Sequence, residues 1–244
     1  MKSISPNLNL MIKACEKASK VLIRDFGEVE NLQVSRKGPK DFVTNADRKV
    51  ENILIGELSK KKYSIISEEI GIKIKEDKNN YWVIDPIDGT TNFLHGIPHF
   101  CISIALINDN ELISGVICDP IKNELYYAEK NSGAFLNNHR IRVSKKNEID
   151  NCLFGSNIDG VKKFDLNLRI SGSAALDLAY TAAGKLDGFY QKKLNIWDIA
   201  AGLLILKEAG GMTNPIDLKK IENHTIVASS EIIFKNLSKL LTNF

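Results

Sequence analysis

The chain has 244 residues, 43% of them apolar and 26% charged, with a formal net charge of +3. That length suits one large domain or two closely packed lobes around a substantial core. No apolar run approaches the roughly 20 residues of a membrane-spanning helix, the N-terminus lacks a signal-peptide core, and the lysine pairs are too dispersed for a nucleic-acid footprint; the expected compartment is the cytoplasm.

Ser5-Pro6 reads as a cap followed by a first-turn proline, opening a helix. Leu10, Ala14, Ala18, Val21 and Leu22 share one face of that helix, and Gly27 is its expected end. Residues 35–43 read as a polar loop. A second helix is expected from about Thr44, burying Val50, Ile53, Leu54 and Leu58. A block of strands follows at 63–67, 81–85, 100–107, 111–118 and 124–129. The tight turns Asn108-Asp109-Asn110 and Asp119-Pro120 imply antiparallel pairing. Beyond about residue 150, strands near 151–156 and 187–191 alternate with helices near 173–183, 197–209 and 230–242. The class is α+β or mixed α/β, with a helix-plus-meander first half and an α/β second half. Cys15, Cys101, Cys118 and Cys152 form no CxxC pair and read as small core residues.

The most informative stretch is Tyr81-Trp82-Val83-Ile84-Asp85-Pro86-Ile87-Asp88-Gly89-Thr90-Thr91-Asn92-Phe93. An apolar strand ends in an aspartate, proline forces a turn, and a second aspartate precedes a Gly-Thr-Thr helix start. The turn can aim both carboxylates, with the Ile87 carbonyl, at one point, and helix-start N–H groups can take a phosphate. The competing reading is an Asx-turn with Asp88 as a helix cap. Ser67-Glu68-Glu69 follows a second apolar strand, and Trp197-Asp198 opens a helix that ends at Gly210-Gly211. Either acid site alone could be a solvated charge or a first-turn helix acid. Together they gather carboxylates that repel one another, which a hard divalent cation relieves. A histidine-free, all-oxygen set suits Mg²⁺ or Mn²⁺ rather than Zn²⁺. His95 and His99 have i,i+4 spacing, but Gly96 and Pro98 argue against a helical metal pair. Ser171 and Ser173 have no evident partner histidine, and Trp82 and Trp197 read as packing residues.

These segments resemble the inositol monophosphatase family, including its bacterial SuhB-type members. The matching stretches are SEE at 67–69, WVIDPIDGTTNFLHGIPHFCISIAL at 82–106 and WDIAAGLLILKEAGG at 197–211, with DFVTNAD at 41–47 and GSAALDLA at 172–179. The resemblance runs over nearly the whole chain. It implies the layered αβαβα sandwich of the sugar-phosphatase superfamily. The chain would be one catalytic domain over 1–244, with sub-lobes of about 1–140 and 141–244, working as a homodimer. The implied activity is Mg²⁺-dependent hydrolysis of inositol-1-phosphate, or of another small monoester such as histidinol phosphate, a sugar phosphate or a nucleotide phosphate. Some SuhB-type members are instead partners of RNA polymerase or of ribosome assembly.

Residue by residue, the resemblance implies that Glu68, Asp85 and the Ile87 carbonyl hold one metal, and that Asp85, Asp88 and Asp198 hold a second. Glu68, supported by Glu69, would contact a looser third, for two to three Mg²⁺ per site with Mn²⁺ as the alternative, and lithium would inhibit. Asp47 and Thr90 would orient the attacking water, giving Asp47, Glu68 and Thr90 as catalytic residues. Gly89 and Thr90 would bind phosphate oxygens through N–H groups. Gly172, Ser173, Ala174 and Gln191 would contact substrate, and Lys37, Thr44 and Asp41 would shape the neighbouring loop. For Asp47, Thr44-x-x-Asp47 also reads as a capping box. Two features depart from the family pattern: the 154–169 segment is short, and Gln191 stands where an acid usually binds substrate hydroxyls.

Overall fold

Ser5 caps the first helix, its Oγ accepting the Leu8 N–H at 3.1 Å. Helix α1 spans Pro6–Leu32 and buries Met11, Ala14, Cys15, Ala18 and Leu22 on one stripe. The computed structural model describes residues 4–32, 39–157 and 166–241. The expected stop at Gly27 is overridden by packing beyond it. Phe26 rests on Phe93 and Phe100, with ring centroids 5.7 and 4.9 Å away, and Val29 is buried. Helix α2 spans Pro39–Leu58. It starts five residues before Thr44, with proline in the first turn, where its fixed φ favours the helix and no N–H is needed. The polar loop therefore yields to helix from residue 39, and Asp47 lies inside a helix rather than in a capping box at its start.

Among the described residues, thirteen strands follow in two sheets. The first sheet holds β1 (Tyr63–Ser67), β2 (Gly71–Lys73), β3 (Asp77–Asp88), β4 (Cys101–Asn108), β5 (Glu111–Asp119), β6 (Glu124–Glu129), β7 (Gly133–Leu136) and β8 (His139–Arg140), in the order β2-β1-β3-β4-β5-β6-β7-β8. From β3 to β6 it is the expected antiparallel meander, which β7 and β8, not expected from the sequence, extend. The β1–β3 pair is parallel, against expectation, because the short β2 turns the chain back before β3 begins. The second sheet holds β9 (Leu153–Ser156), β10 (Asn167–Arg169), β11 (Gly188–Leu194), β12 (Met212–Thr213) and β13 (His224–Ser229), in the order β10-β9-β11-β13-β12. The remaining helices are α3 (Thr90–Leu94), α4 (Ala174–Ala182), α5 (Ile196–Glu208) and α6 (Glu231–Leu241).

The layers run α1/α2, first sheet, α4/α5, second sheet, α6, the expected αβαβα sandwich. Strand alternation sorts the core. Trp82 and Ile84 of β3 face α1 and α2 beside Leu54, Phe93 and Phe100, whereas Val83 faces the inner layer with Ile117, Leu176, Ile199 and Phe189. With both faces covered, the whole 82–88 run is buried, the pattern of a strand between two layers. A third cluster, with Phe154, Tyr190, Val227, Ile233 and Leu237, seats α6 on the second sheet. Three of the four cysteines are buried as expected, and Cys118 is half-buried.

The signature glycine Gly202 serves packing. A Cβ there would lie 2.6 Å from Leu178, so its absence lets α5 close on α4, while Gly115 lets the Ala201 backbone approach β5. That contact brings the start of α5 to the end of β3.

Candidate active site

β3 does not end at Asp85 but continues to Asp88, with a register shift against β4 between the two. Pro86 has no N–H to donate, and a bulge is where a strand tolerates it. The Asx-type turn belongs to Asp85, whose Oδ1 accepts the Ile87 N–H at 3.0 Å. Asp88 does not cap α3. Gly89 does, in the left-handed region at φ +95° and without a side-chain bond. A Cβ on Gly89 would also sit 3.0 Å from the His99 carbonyl, so the turn excludes other residues on two counts.

Asp88 instead reaches the start of α4. Its Oδ2 accepts from Ser173 Oγ at 2.5 Å and from the Ala175 N–H at 2.8 Å. Asp198 lies in the first turn of α5 and accepts the Asn195 N–H at 2.7 Å. Each acid thus sits at the positive end of a helix, and for Asp198 the capping and clustering readings hold together. Carboxylate oxygens of Asp85, Asp88 and Asp198 lie within 4.8 Å of one another. Glu68 joins through the parallel register. Ser67 pairs with Ile84, the Glu68 N–H donates to the Ile84 carbonyl at 3.3 Å, and its carboxyl hydrogen-bonds Asp85. Thr90 Oγ1 donates to the Ile87 carbonyl at 2.8 Å.

The electrostatics of the cluster are unfavourable as they stand. Burial, then Glu68, Asp88 and Asp198, push Asp85 well above the usual carboxylate range. Burial also raises Glu68 and Asp88, the latter opposed by its hydrogen bonds from Ser173 and Ala175. Asp198 is pushed up to about 7 by burial and then by Asp88. Asp47, 4% exposed, is pushed up to about 8 by burial, then by Glu69, Glu68 and Glu51. A hydrogen bond between the Glu68 and Asp85 carboxyls needs a proton on one of them, and a cation between them would relieve the same repulsion. The donor set is all oxygen, carboxylate-rich and free of histidine and thiolate, which fits a hard divalent cation.

A cavity of about 190 Å³ opens beside the cluster, lined by Asp88, Asp198, Gln191, Gly172, Ala174 and Asp177 among others. Gln191 lies within β11, paired with Ile226, and lines this cavity. A larger cavity of about 550 Å³, mostly apolar, lies between the 72–81 segment and the 218–221 loop; none of the clustered acids lines it.

The structure therefore brings together Glu68, Asp85, Ile87, Asp88, Gly89, Thr90, Ser173 and Asp198, and places Gly172, Ala174 and Gln191 on the adjoining cavity. Asp47 stands near Glu68 and Glu69 in charge terms. Lys37 lies outside the described residues, and Asp41 and Thr44 lie in α2 with side chains also outside them. The short 154–169 segment is described only at its two ends. His95 and His99 flank the end of α3 and form no helical pair. Trp82 is fully buried against Tyr63, as a packing residue should be.

Two neighbours escaped the sequence reading. Asn92 Nδ2 donates to the His99 carbonyl at 2.7 Å and the Ser171 carbonyl at 2.8 Å, tying α3 to the approach to α4. Its signal was an amide in a five-residue helix that buries it. Asp177 lies under the cavity, pushed up to about 7 by burial. Its signal was an acid inside the otherwise apolar Ala174–Ala182 run.

The inositol monophosphatase family model matches residues 4–243. An inositol-1-monophosphatase of Mesorhizobium japonicum is 45% identical, over 95% of this chain and 94% of its own length. A Nus factor SuhB of Haemophilus influenzae is 36% identical, over 97% and 96%. Among solved structures, the extragenic suppressor protein suhB of Bartonella henselae superimposes with a TM-score of 0.87 at 39% identity, covering 98% of this chain and all of that one. Sequence, fold and the spacing of the acids agree, and the chain belongs to the inositol monophosphatase family.

Proposed function

We propose that the chain is a Mg²⁺-dependent phosphomonoesterase acting on inositol-1-phosphate, as a single catalytic domain in a cytoplasmic homodimer. The observation that carries this reading is the convergence of Asp85, Asp88 and Asp198 beside a cavity floored by the start of α4. Glu68, Asp85 and the Ile87 carbonyl would hold one Mg²⁺, and Asp85, Asp88 and Asp198 a second; Glu68, supported by Glu69, would also touch a looser third, with Mn²⁺ as the alternative ion. When bound, the ions supply positive charge for the phosphoryl group and a more acidic water.

The chain's own groups do the rest. Thr90 Oγ1 spends its proton on the Ile87 carbonyl, so only its lone pairs remain to accept a hydrogen bond from the attacking water. Asp47, buried on α2 beside Glu68 and Glu69, would help orient the same water. First-turn N–H groups from Gly89 onward have no intrahelical acceptor and would bind phosphate oxygens. Gly172, Ser173 and Ala174 form the facing wall, and Gln191 meets the alcohol portion of the substrate. Lithium sensitivity follows if it enters the more weakly held metal position. Similarity to the Haemophilus influenzae Nus factor supports a second role, association with RNA polymerase, which a polymerase pull-down tests independently.

The deciding experiment is phosphate release across a panel of monoesters with Mg²⁺. Inositol-1-phosphate should rank first. Turnover of another monoester alone would move the substrate, and no turnover of any would remove the activity.

A further inference from the structure

We infer that Glu51 is a positioning residue of the metal-binding turn, an inference that rests on the phosphatase reading above. β1 and β2 form a hairpin in which Ser67 pairs with Gly71, leaving Glu68, Glu69 and Ile70 as its loop. Gly71 closes it at φ +69°, as a three-residue hairpin with a left-handed glycine requires. All three loop residues are exposed, and the hairpin lies at the edge of the first sheet. Two adjacent acids on such a loop, facing Asp85 and Asp47, would swing outward to separate their charges.

Glu51 prevents this from below. It is 2% exposed on α2, one turn after Asp47 and on the same face of the helix. Its Oε1 accepts from Ser67 Oγ and from the Ile70 N–H at 3.2 Å, so one buried oxygen holds both ends of the Glu68-Glu69 loop. Ser67 itself is fully buried. The clamp keeps Glu68 level with Asp85 and fixes its distance from Asp47, because helix α2 carries both the clamp and Asp47. A carboxylate is an odd choice beneath a cluster of acids unless its acceptor capacity is needed.

Both bonds fall on a single oxygen, which makes the test specific. Glu51→Gln keeps a carbonyl oxygen for both donors, whereas Glu51→Ala removes the acceptor. Mg²⁺ is titrated while thermal stabilisation and phosphate release are followed in parallel. For Glu51→Ala the half-saturating Mg²⁺ should rise at least about tenfold in both readouts, the scale on which groups that orient metal ligands act. Its kcat at saturating Mg²⁺ should stay within about threefold of wild type, and Glu51→Gln should restore the wild-type midpoint. An unchanged midpoint in Glu51→Ala, or a Gln variant as impaired as the Ala variant, overturns the inference. If Glu51→Ala does not fold, Ser67→Ala decides, since it removes one of the two donors: a raised midpoint supports the clamp and a wild-type midpoint refutes it. If the wild type shows neither Mg²⁺-dependent stabilisation nor turnover, the phosphatase reading fails and the inference falls with it. Failure of the clamp alone leaves the wild-type responses intact.

Discussion

The two walls of the acid cluster are differently supported. On the side of the second half, Asp88 and Asp198 face helix starts and receive preset N–H and O–H donors from Ser173, Ala175 and Asn195. On the side of the first sheet, Asp85 has the Ile87 N–H and its neighbour Glu68, another acid. One wall brings its own counter-charge from helix dipoles, and the other depends on a cation. Under the proposed reading, a bound cation would hold the first-sheet wall together as well as serve the chemistry.

The largest test of that contrast is metal removal. Phosphate release should require added Mg²⁺ and vanish with EDTA, because the clustered carboxyl groups would repel the substrate phosphate without a cation between them. Full turnover in metal-free buffer would sink the mechanism. Next in size, Asp88→Asn should lower kcat by at least about a hundredfold, comparable to losing a major electrostatic element of a site. The amide oxygen can still accept the Ala175 N–H, so melting should show a folded protein. Near-wild-type turnover would take Asp88 out of the mechanism.

A smaller effect concerns pH. Asp47, Asp177 and Asp198 sit at about 8, 7 and 7 in the folded chain, against about 3.9 for an unfolded aspartate. Between those values the native state holds more protons than the unfolded state. Their contribution to stability is therefore full below about pH 4 and is lost as pH rises toward 8. In EDTA, Tm should fall by at least about 3 °C from pH 5 to pH 8. Mg²⁺ should recover most of the loss at pH 8 and little at pH 5. A Tm in EDTA that is flat across this range would mean the repulsion is compensated within the protein.

Local features of this site were legible because their geometry is written in adjacent residues. A proline between two aspartates, with glycine next, admits few backbones, and the apolar 81–85 run reads as a strand, although its continuation to Asp88 shows only in the structure. What escaped depends on partners far along the chain. Phe26 and Val29 carry α1 past Gly27 through contacts with the first-sheet core, which Gly27 itself cannot reveal. Glu51, between Val50 and the Ile53-Leu54 pair, reads as an ordinary helix acid until the β1–β2 loop is seen above it. The parallel β1–β3 pairing was hidden because β2 is three residues long and carries no turn signal stronger than Gly71. β13 was missed because His224–Ser229 is a brief apolar run after a polar loop, and only its place between β11 and β12 makes it central.

The finest test lies on the supported wall, at Gln191. In the cavity it stands with Asp88, Asp177 and Asp198, so the space is already acidic before any substrate enters. An amide there can donate as well as accept, which suits hydroxyl groups of varied orientation and tolerates a second anionic group. Gln191→Glu removes the donor and adds a charge. Bonds from substrate hydroxyls to a carboxylate are roughly twice as strong as to a neutral acceptor, whereas a second phosphate would meet repulsion from four acids instead of three. Inositol-1-phosphate should therefore gain in kcat/KM relative to a bisphosphorylated sugar by a few-fold to about tenfold, on the order of 1 kcal/mol. The half-saturating Mg²⁺ should not move, since Gln191 is no part of the acid cluster. An unchanged substrate ratio would show that the alcohol portion does not reach Gln191. Selectivity would then rest on the rest of the rim, Ser156, Asn157 and Ile170, where the shortened 154–169 segment meets the cavity.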